Sequence, residues 1–246
     1  MNDLMRGKSL VISPHVDDAF LSLGGLLTNT GVKKVIDVFP ISKFHRFDKS
    51  LREQGITGIR RAEELLNSRI TGVEVEFLPF AEGRMRGYKH WHTTPLWPSE
   101  ARMISRVKGI IRNEMADFDN VFFPLGTGHH VDHLLVASIG FGFVTEGKEA
   151  NLYFYEDMPY TVHRDMCEFV YMNPETDAKS LAARLLQFDP KKKLRVCSTY
   201  RSQVDSRDIR AILRYAKKLA NDGKYYERVF RIADPSTLRR DPYIET

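Results

Sequence analysis

Two short segments of the sequence concentrate the side chains that hold metal ions in proteins. The first segment reads Pro14-His15-Val16-Asp17-Asp18, and the second reads His129-His130-Val131-Asp132-His133. A catalytic zinc ion takes three protein ligands, mainly imidazole nitrogens and carboxylate oxygens, and keeps one position open for water. The two segments together therefore predict a metal centre that activates water for a hydrolytic reaction.

The spacing within these segments indicates which side chains share the metal. His15 and Asp18 stand at positions i and i+3, so both can point to the same side of a helix start. His133 would complete a triangle of ligands from the second segment. Two imidazoles and one carboxylate suit one Zn2+ ion per chain, and they also suit Fe2+. His15, Asp18 and His133 are therefore candidate metal ligands.

The remaining polar residues of the two segments are the predicted catalytic groups. Asp17 cannot easily share the direction of its neighbour Asp18, so it can remove a proton from the water as that water attacks a carbonyl. His130 lies three residues before His133 and is expected on the same helical face, where it could act as an acid or stabilise the charge of the tetrahedral intermediate. Asp132 could orient an imidazole without binding the metal itself.

Each of these residues has a simpler structural interpretation when it is taken alone. An aspartate before a helix, such as Asp17 or Asp18, most often caps the first turn. A lone pair of histidines three or four residues apart is usually structural or lies on the surface. The joint pattern favours a functional site, because both segments follow an apolar run and precede a helical one.

Apolar, β-branched runs alternate with helical periodicities along the chain. Strands are expected at residues 9–13, 35–39, 73–78, 120–124, 152–155 and 225–232, and the clearest helices at residues 60–69 and 99–115. This alternation predicts an α/β fold, a three-layer α/β/α sandwich with a mostly parallel sheet. Ligands of such sheets bind beyond the carboxyl ends of the strands, so the two segments can converge on one crevice.

The length and composition are those of an ordinary globular protein. The 246 residues, 42% of them hydrophobic, fit a single domain over residues 1–246. The net charge of +5 is modest and the basic residues are scattered, which argues against a nucleic-acid partner. The two cysteines form no CxxC pair, and no apolar run approaches the roughly 20 residues of a membrane span. We expect a cytoplasmic protein, and a homo-oligomer is compatible with this sequence.

At the two segments the sequence resembles the PIG-L or LmbE-like family of deacetylases. The family signatures are close to PHPDDE followed by Gly-Gly, and close to HxDH. They stand here as residues 14–19 with Gly24-Gly25, and as residues 130–133. Weaker similarities lie in Arg60-Arg61-Ala62-Glu63, in residues 155–160 and in Tyr200-Arg201-Ser202-Gln203.

The resemblance implies a Rossmann-like fold and assigns a role to each matching residue. His15, Asp18 and His133 would be the zinc ligands, with Asp17 as the general base. His130 would be the second catalytic group, with Asp132 as its orienting partner, and Arg60 would lie near the sugar of the substrate. The implied reaction releases acetate from an N-acetylated sugar.

Three positions depart from the family signatures or leave them ambiguous. Ala19 replaces the acidic residue that usually closes the first signature, and Val16 replaces the usual proline. We expect these changes to affect the support and stiffness of the loop rather than the metal ligands. A shift of one residue would exchange His129 with His130 in the second signature.

The expected loop at residues 81–98 is a candidate wall for the substrate. Aromatic side chains in this loop could stack on a sugar face, although core packing or an oligomer contact would also account for them. The aromatic residues are Tyr88, Trp91 and Trp97. Basic neighbours could meet a phosphate or merely solvate the loop, and they are Arg84, Arg86 and Lys89. We predict Trp91 and Arg60 as substrate-binding residues.

The sequence therefore predicts a zinc-dependent hydrolase that removes an N-acetyl group from a glucosamine-containing small molecule or glycoconjugate. A metal-dependent hydrolase of another amide or ester would use the same attack by water. A non-catalytic Rossmann-like binding module is a third interpretation, but no G-x-G-x-x-G pattern follows the first strand. Metal analysis of the purified protein would separate this module from the two enzymes.

Overall fold

The computed structural model describes residues 7–29, 31, 33–46, 53–89, 98–147, 150–163 and 181–233. Its strands are β1 (Ser9–Ser13), β2 (Lys33–Asp37), β3 (Glu74–Phe77), β4 (Asn120–Pro124), β5 (Asn151–Tyr155), β6 (Leu181–Gln187) and β7 (Tyr226–Ile232). They form one sheet in the order β3-β2-β1-β4-β5-β7-β6. The first five strands in this order are parallel, whereas β7 runs antiparallel between β5 and β6.

Helices cover both faces of the sheet. The helices are α1 (Asp18–Leu27), α2 (Glu53–Thr71), α3 (Ala101–Met115), α4 (Val131–Thr145), α5 (Tyr160–His163), α6 (Pro190–Cys197) and α7 (Ser206–Lys218). Side chains of α3 and α4 pack on one face of the sheet, and side chains of α1, α6 and α7 pack on the other. Strand β1 shows the alternation that a sheet buried on both faces requires, because Leu10 and Ile12 join the first core and Val11 joins the second. The predicted Rossmann-like three-layer sandwich with a mostly parallel sheet is confirmed.

Most predicted boundaries that differ from the structure do so by one or two residues, and the start of α2 differs by seven. The second strand ends at Asp37, although the apolar run predicted it to continue through Val38 and Phe39. Both residues are fully buried after the strand, and apolar character does not distinguish a strand from a buried loop. The helix predicted from residue 60 begins at Glu53, because the polar residues before Arg60 extend the helix and do not interrupt it.

Helix α1 is broken in its middle, next to Gly24 and Gly25. Leu23 has non-helical dihedral angles, and the carboxylate of Glu227 in β7 accepts hydrogen bonds from the amides of Gly25, at 2.6 Å, and Leu26, at 2.9 Å. A Cβ atom at Gly25 would lie 2.4 Å from the Phe188 side chain, so this close approach requires glycine. The hydrogen bonds at this break therefore attach α1, which begins at Asp18, to the antiparallel end of the sheet.

The order of the strands determines which loops meet. Strands β1, β4 and β5 are direct neighbours, so the segments that follow their carboxyl ends lie side by side. The first of these segments carries His15, the second carries His130, and the third carries Asp157. In the described part of the chain no helix is long and apolar enough to cross a membrane.

Candidate metal centre and active site

Three side chains from two loops meet at the carboxyl edge of the sheet. His15 Nδ1 lies 3.1 Å from Asp18 Oδ2, and His133 Nε2 lies 3.1 Å from the same oxygen. The two imidazole nitrogens are 3.3 Å apart. All three residues are buried. The structure thus brings together the three predicted ligands, although more than 110 positions separate His15 from His133.

The triangle of donor atoms has the size that a tetrahedral metal ion requires. Three ligands of a tetrahedral zinc ion with bonds of about 2.0–2.2 Å are about 3.3–3.6 Å apart. The observed separations of 3.1–3.3 Å are close to this edge length. Two imidazoles and one carboxylate are also the donor chemistry of zinc and ferrous sites. These residues therefore fit a divalent metal ion.

His130 offers an alternative third nitrogen. Donor atoms of His15, His130 and His133 all lie within 4.8 Å of one another. The His130 ring packs edge-on against His15, with ring centroids 4.7 Å apart. Its Nδ1 already accepts a hydrogen bond from the Asp132 amide at 3.2 Å. The shorter separations and the negative charge of Asp18 favour the His15, Asp18 and His133 set.

Asp132 supports His15 rather than His130. Its Oδ2 atom lies 2.8 Å from His15 Nε2 but 3.8 Å from His130 Nδ1. The same oxygen accepts a hydrogen bond from the Gly83 amide at 2.9 Å. The predicted role of Asp132 as the orienting partner of His130 is therefore wrong, because the carboxylate points across the site to the other loop. It holds the outer nitrogen of His15 and leaves the inner nitrogen for a metal.

Asp157 supports His133 in the way that Asp132 supports His15. It was not among the predicted site residues. Its Oδ1 atom lies 2.6 Å from His133 Nδ1, and its Oδ2 accepts a hydrogen bond from the Thr127 amide at 2.8 Å. Asp157 is fully buried. The sequence signal was the Tyr155–Tyr160 similarity, since Asp157 follows β5 just as His15 follows β1.

Asp17 has an uncommon backbone conformation for a residue with a side chain. Its φ is 114° at the N-cap position of α1, yet its side chain makes no capping hydrogen bond. A positive φ outside glycine costs on the order of 1–3 kcal/mol, and such strain is concentrated at functional sites. The capping interpretation of Asp17 is therefore wrong, because the carboxylate is turned away from the helix and towards a pocket.

Arg60 holds this unusual loop in place. Its Nη2 atom donates a hydrogen bond to the Val16 carbonyl at 2.8 Å and lies 3.3 Å from Asp17 Oδ1. Its Nη1 atom donates to Ser42 Oγ at 2.7 Å. Burial raises the pKa of Asp17 to about 7, and the Arg60 charge limits that rise. Arg60 lines the pocket as well, but both of its terminal nitrogens bind protein atoms.

The charges of the candidate metal ligands depend on one another. Burial alone would raise the pKa of the Asp18 carboxyl, but the His133 and His15 rings outweigh it and hold that pKa well below its usual range. Burial would also lower the pKa of His15, whereas its hydrogen bonds to Asp132 and Asp18 raise it to about 9. The Asp18 carboxyl therefore keeps its negative charge although it is buried, as a carboxylate ligand of a metal ion requires.

His130 caps helix α4 and faces the pocket. It stands just before the helix with extended backbone angles, so it lies beside His133 without sharing a helical face. Burial, together with the charge of His15, lowers the pKa of His130 to about 2. The neutral ring accepts the Asp132 amide at Nδ1, which leaves its hydrogen on Nε2. The clustering of His130 with His15 and His133 resolves the ambiguity with His129.

The pocket beside the three donors is open to solvent and mixed in character. Its volume is about 290 Å³, near the lower end of the roughly 300–1,000 Å³ range of ligand pockets. Apolar atoms come from Phe44, Met158, Pro159, Tyr160 and Val204, and charged groups come from Asp17, Asp18, Arg46, Arg60, Glu82, Arg84 and Asp208. Ala19, by contrast, is buried in the apolar core, so this position contributes packing instead of a carboxylate.

The structure places the residues of the 81–98 loop in different environments. Trp91 and Trp97 lie outside the described residues. Tyr88 is buried, and its hydroxyl donates a hydrogen bond to Glu100 at 2.7 Å, so it faces the interior. Arg86 is mostly buried and forms ion pairs with Glu100 and Asp132. Of the three basic residues predicted there, Arg84 lines the pocket.

Two solved structures share the fold of this chain. The zinc-inhibited form of teicoplanin deacetylase Orf2 has a TM-score of 0.70 at 20% identity, over 91% of this chain and 97% of that chain. An N,N'-diacetylchitobiose deacetylase from Pyrococcus horikoshii has a TM-score of 0.65 at 19% identity, over 98% of this chain and 90% of that chain. At this level of identity the likeness shows the fold alone.

Sequence comparison identifies the family. Residues 10–143, more than half of the chain, match the PIG-L family, described as GlcNAc-PI de-N-acetylase. A 2'-N-acetylparomamine deacetylase from Streptomyces fradiae is 34% identical over 229 residues, which cover 87% of this chain and 80% of the relative. Both signatures of the metal centre lie inside the matched region. The chain therefore belongs to the PIG-L family and is a deacetylase.

Proposed function

We propose that this deacetylase is a zinc-dependent hydrolase that removes an N-acetyl group from an amino sugar of the aminoglycoside type. The observation that carries the proposal is the triangle of His15, Asp18 and His133, whose donor atoms are 3.1–3.3 Å apart beside an open pocket. The S. fradiae relative, named for a substrate with an N-acetylated amino sugar, supports the substrate class.

The three donors would hold one zinc ion, and Fe2+ suits the same set. A zinc ion bound there supplies Lewis acidity and an activated water molecule. His15 and His133 would bind the ion through their inner nitrogens, because Asp132 and Asp157 occupy the outer ones. In the metal-bound protein each carboxylate would thus favour the tautomer in which the metal-facing nitrogen carries a lone pair.

Asp17 is the proposed general base. Arg60 lies beside its Oδ1 atom, and none of the described residues engages its Oδ2 atom. Asp17 Oδ2 would accept one proton from the attacking water while the new C–O bond forms at the acetyl carbonyl. The same proton would then pass to the leaving nitrogen as the C–N bond breaks, which releases a free amine and acetic acid. The acid then loses its proton to solvent and leaves as acetate.

His130 is the proposed stabiliser of the developing negative charge. His130 lines the pocket, and because its Nδ1 accepts the Asp132 amide, its neutral ring carries its hydrogen on Nε2. A fixed donor aimed at the carbonyl oxygen stabilises the tetrahedral intermediate more than the substrate. Of the two roles predicted for His130, this geometry supports charge stabilisation rather than acid catalysis.

The sugar ring would lie against the apolar wall of the pocket. Phe44 is 43% exposed on this wall, although large apolar side chains are usually buried. Its amide donates a hydrogen bond to Ser42 Oγ at 3.0 Å, which holds the loop in place. Phe44 therefore offers the kind of aromatic surface that we predicted for Trp91. Arg60 is assigned to holding Asp17, and its contact with the sugar stays a prediction.

Acetate release from 2'-N-acetylparomamine, with N,N'-diacetylchitobiose as a second substrate, tests the proposal. The protein should release acetate, lose that activity after chelation and regain it with one equivalent of zinc. His15→Ala should remove both zinc and activity. Asp17→Asn should keep zinc and lose several orders of magnitude in kcat. Arg112→Gln, at the opposite edge of the sheet, is the matched control and should behave as wild type.

Different results would overturn different parts of the proposal. Full activity in the chelated protein would remove the metal from the reaction. Normal turnover by Asp17→Asn would remove Asp17 from its role as base. Zinc-dependent cleavage of unrelated esters or amides, with no acetate released from either sugar, would favour a hydrolase of another class.

A further inference from the structure

We infer that Arg86 is a positioning residue for the metal centre, acting on His15 through Asp132. The inference rests on the metal site proposed above and concerns a residue that lies outside both signature motifs. Arg86 contacts neither the three donor atoms nor the pocket. Arg86 would therefore affect how strongly the orientation of the His15 ring is fixed.

A short chain of contacts connects Arg86 to the metal site. Arg86 Nη2 lies 2.8 Å from Asp132 Oδ1, and the other oxygen of the same carboxylate lies 2.8 Å from His15 Nε2. The amide of Gly83 also donates to that second oxygen, at 2.9 Å. The single turn from Gly83 to Arg86 thus contacts both oxygens of Asp132 and fixes the plane of its carboxylate.

Arg86 and Asp132 interact as an ion pair. Within the described ranges neither Arg86 Nη2 nor Asp132 Oδ1 has a hydrogen-bond partner of favourable geometry. Each atom is buried and is balanced by the opposite charge 2.8 Å away. A buried carboxylate without such a partner would be free to turn towards another donor. Arg86 therefore removes the alternative orientations of Asp132.

Arg86 can hold Asp132 because it is itself held on several sides. Its Nε atom donates a hydrogen bond to Glu100, and its Nη1 donates to the Ala81 carbonyl at 2.7 Å. The guanidinium plane lies 4.6 Å from the centroid of the Phe39 ring. Lysine would keep the positive charge but has neither the planar fork nor the same stacking. The position thus uses the shape of arginine as well as its charge.

The consequence concerns the metal affinity of the protein. A carboxylate that orients a metal-binding histidine is worth about 10–100-fold in metal affinity or activity. Arg86 acts one contact further away, so its removal should have an effect near the lower end of that range. We expect Arg86→Gln to weaken zinc binding about tenfold. If Arg86 acted only through its positive charge, its removal would tighten the binding of a cation. The direction of the change in zinc affinity therefore distinguishes positioning of His15 from a simple effect of charge.

The test measures zinc affinity by competition with a chromophoric chelator, with no turnover involved. Wild type, Arg86→Gln and Arg86→Lys are compared, and Arg112→Gln serves as the matched control. Arg112 also pairs with a carboxylate, Glu146, and lies over an aromatic ring, but at the other end of α3. Both Arg86 variants should bind zinc more weakly, and the control should match wild type. The visible spectrum of the cobalt-substituted protein should change in the Arg86 variants alone.

The outcomes separate this inference from the proposed function. Zinc affinity in Arg86→Gln equal to or tighter than wild type would overturn the positioning role while leaving the zinc enzyme intact. An equal loss in Arg112→Gln would show general destabilisation and would also overturn it. Failure of wild type to bind zinc would instead overturn the metal centre itself. At saturating zinc, Arg86→Gln should lower kcat and leave KM near wild type, because Arg86 does not touch the substrate pocket.

Discussion

The two imidazoles of the proposed metal centre are supported in different ways. Asp132, which contacts His15, accepts a hydrogen bond from the Gly83 amide and forms an ion pair with Arg86. Asp157, behind His133, is held by the Thr127 amide, and no lysine or arginine of the described ranges contacts it. We call these two sets the His15 arm and the His133 arm. One arm depends on a buried charge pair, and the other depends on backbone hydrogen bonding.

The two arms also differ in how their carboxylates ionise. Burial alone would raise the pKa of Asp132, but His15 and Arg86 outweigh burial and hold that pKa well below its usual range. Burial raises the pKa of Asp157, and the contact with His133 offsets only part of the rise. The pKa shifts of these two buried carboxylates are therefore opposite in direction. His15, with Arg86 and His130, outweighs burial at Asp132, whereas His133 does not outweigh it at Asp157, where the negative charge of Asp18 adds to the rise.

Removal of the carboxylate from the His15 arm should have the largest effect on stability. Asp132→Ala leaves Arg86 without one of its carboxylates and leaves the Gly83 amide and His15 Nε2 without an acceptor. Breaking a buried ion pair from one side costs about 3–5 kcal/mol. Urea denaturation of the metal-free protein measures the loss. A smaller loss than that of Asp157→Ala would reverse the comparison between the arms.

The corresponding change in the His133 arm should cost less stability. Asp157→Ala leaves two buried donors, the Thr127 amide and His133 Nδ1, but no arginine. Leaving a buried donor without its acceptor costs about 1–3 kcal/mol. Zinc affinity should still fall about 10–100-fold, since His133 loses its orienting partner. Unchanged zinc affinity with intact folding would show that packing alone orients His133.

The smallest effect is expected from the turn that carries the His15 arm. A Cβ atom at Gly83 would lie 2.7 Å from Val131 Cγ1 and 3.4 Å from Asp132 Oδ1. Gly83→Ala should therefore shift the turn and cost about 1–2 kcal/mol, as overpacking of a buried position does. Thermal unfolding measures the cost, and a parallel loss of zinc affinity would show that the turn and the arm move together. A stable variant with wild-type zinc affinity would contradict this coupling.

The sequence predicted the fold and the composition of the donor triangle for clear physical reasons. The i, i+3 spacing of His15 and Asp18 fixes their common direction, and parallel strands place His133 at the same edge. The positive φ of Asp17 was not foreseen, because a strained residue looks like an ordinary helix cap in the sequence. The functional roles of these residues stay predictions until the variants are measured.

The supports of the site were harder to predict because they depend on contacts between distant segments. Asp132 is adjacent to His133 and near His130, so sequence proximity suggested the wrong imidazole. Asp157 becomes a partner of His133 only because β5 lies beside β4. Arg86 sits in a turn without any periodic pattern, and its burial among Glu100, Phe39 and Asp132 has no local signal.

The position of β1 in the middle of the sheet has a consequence for biosynthesis. His15 follows a strand whose neighbour β4 begins at residue 120, and Asp157 follows β5. A ribosome working at about 5–20 residues per second needs roughly 7–28 s to pass from residue 15 to residue 157. Throughout that interval the nascent chain carries His15 and Asp18 without their full set of partners. We therefore expect stable metal loading to follow the synthesis of β5 and Asp157.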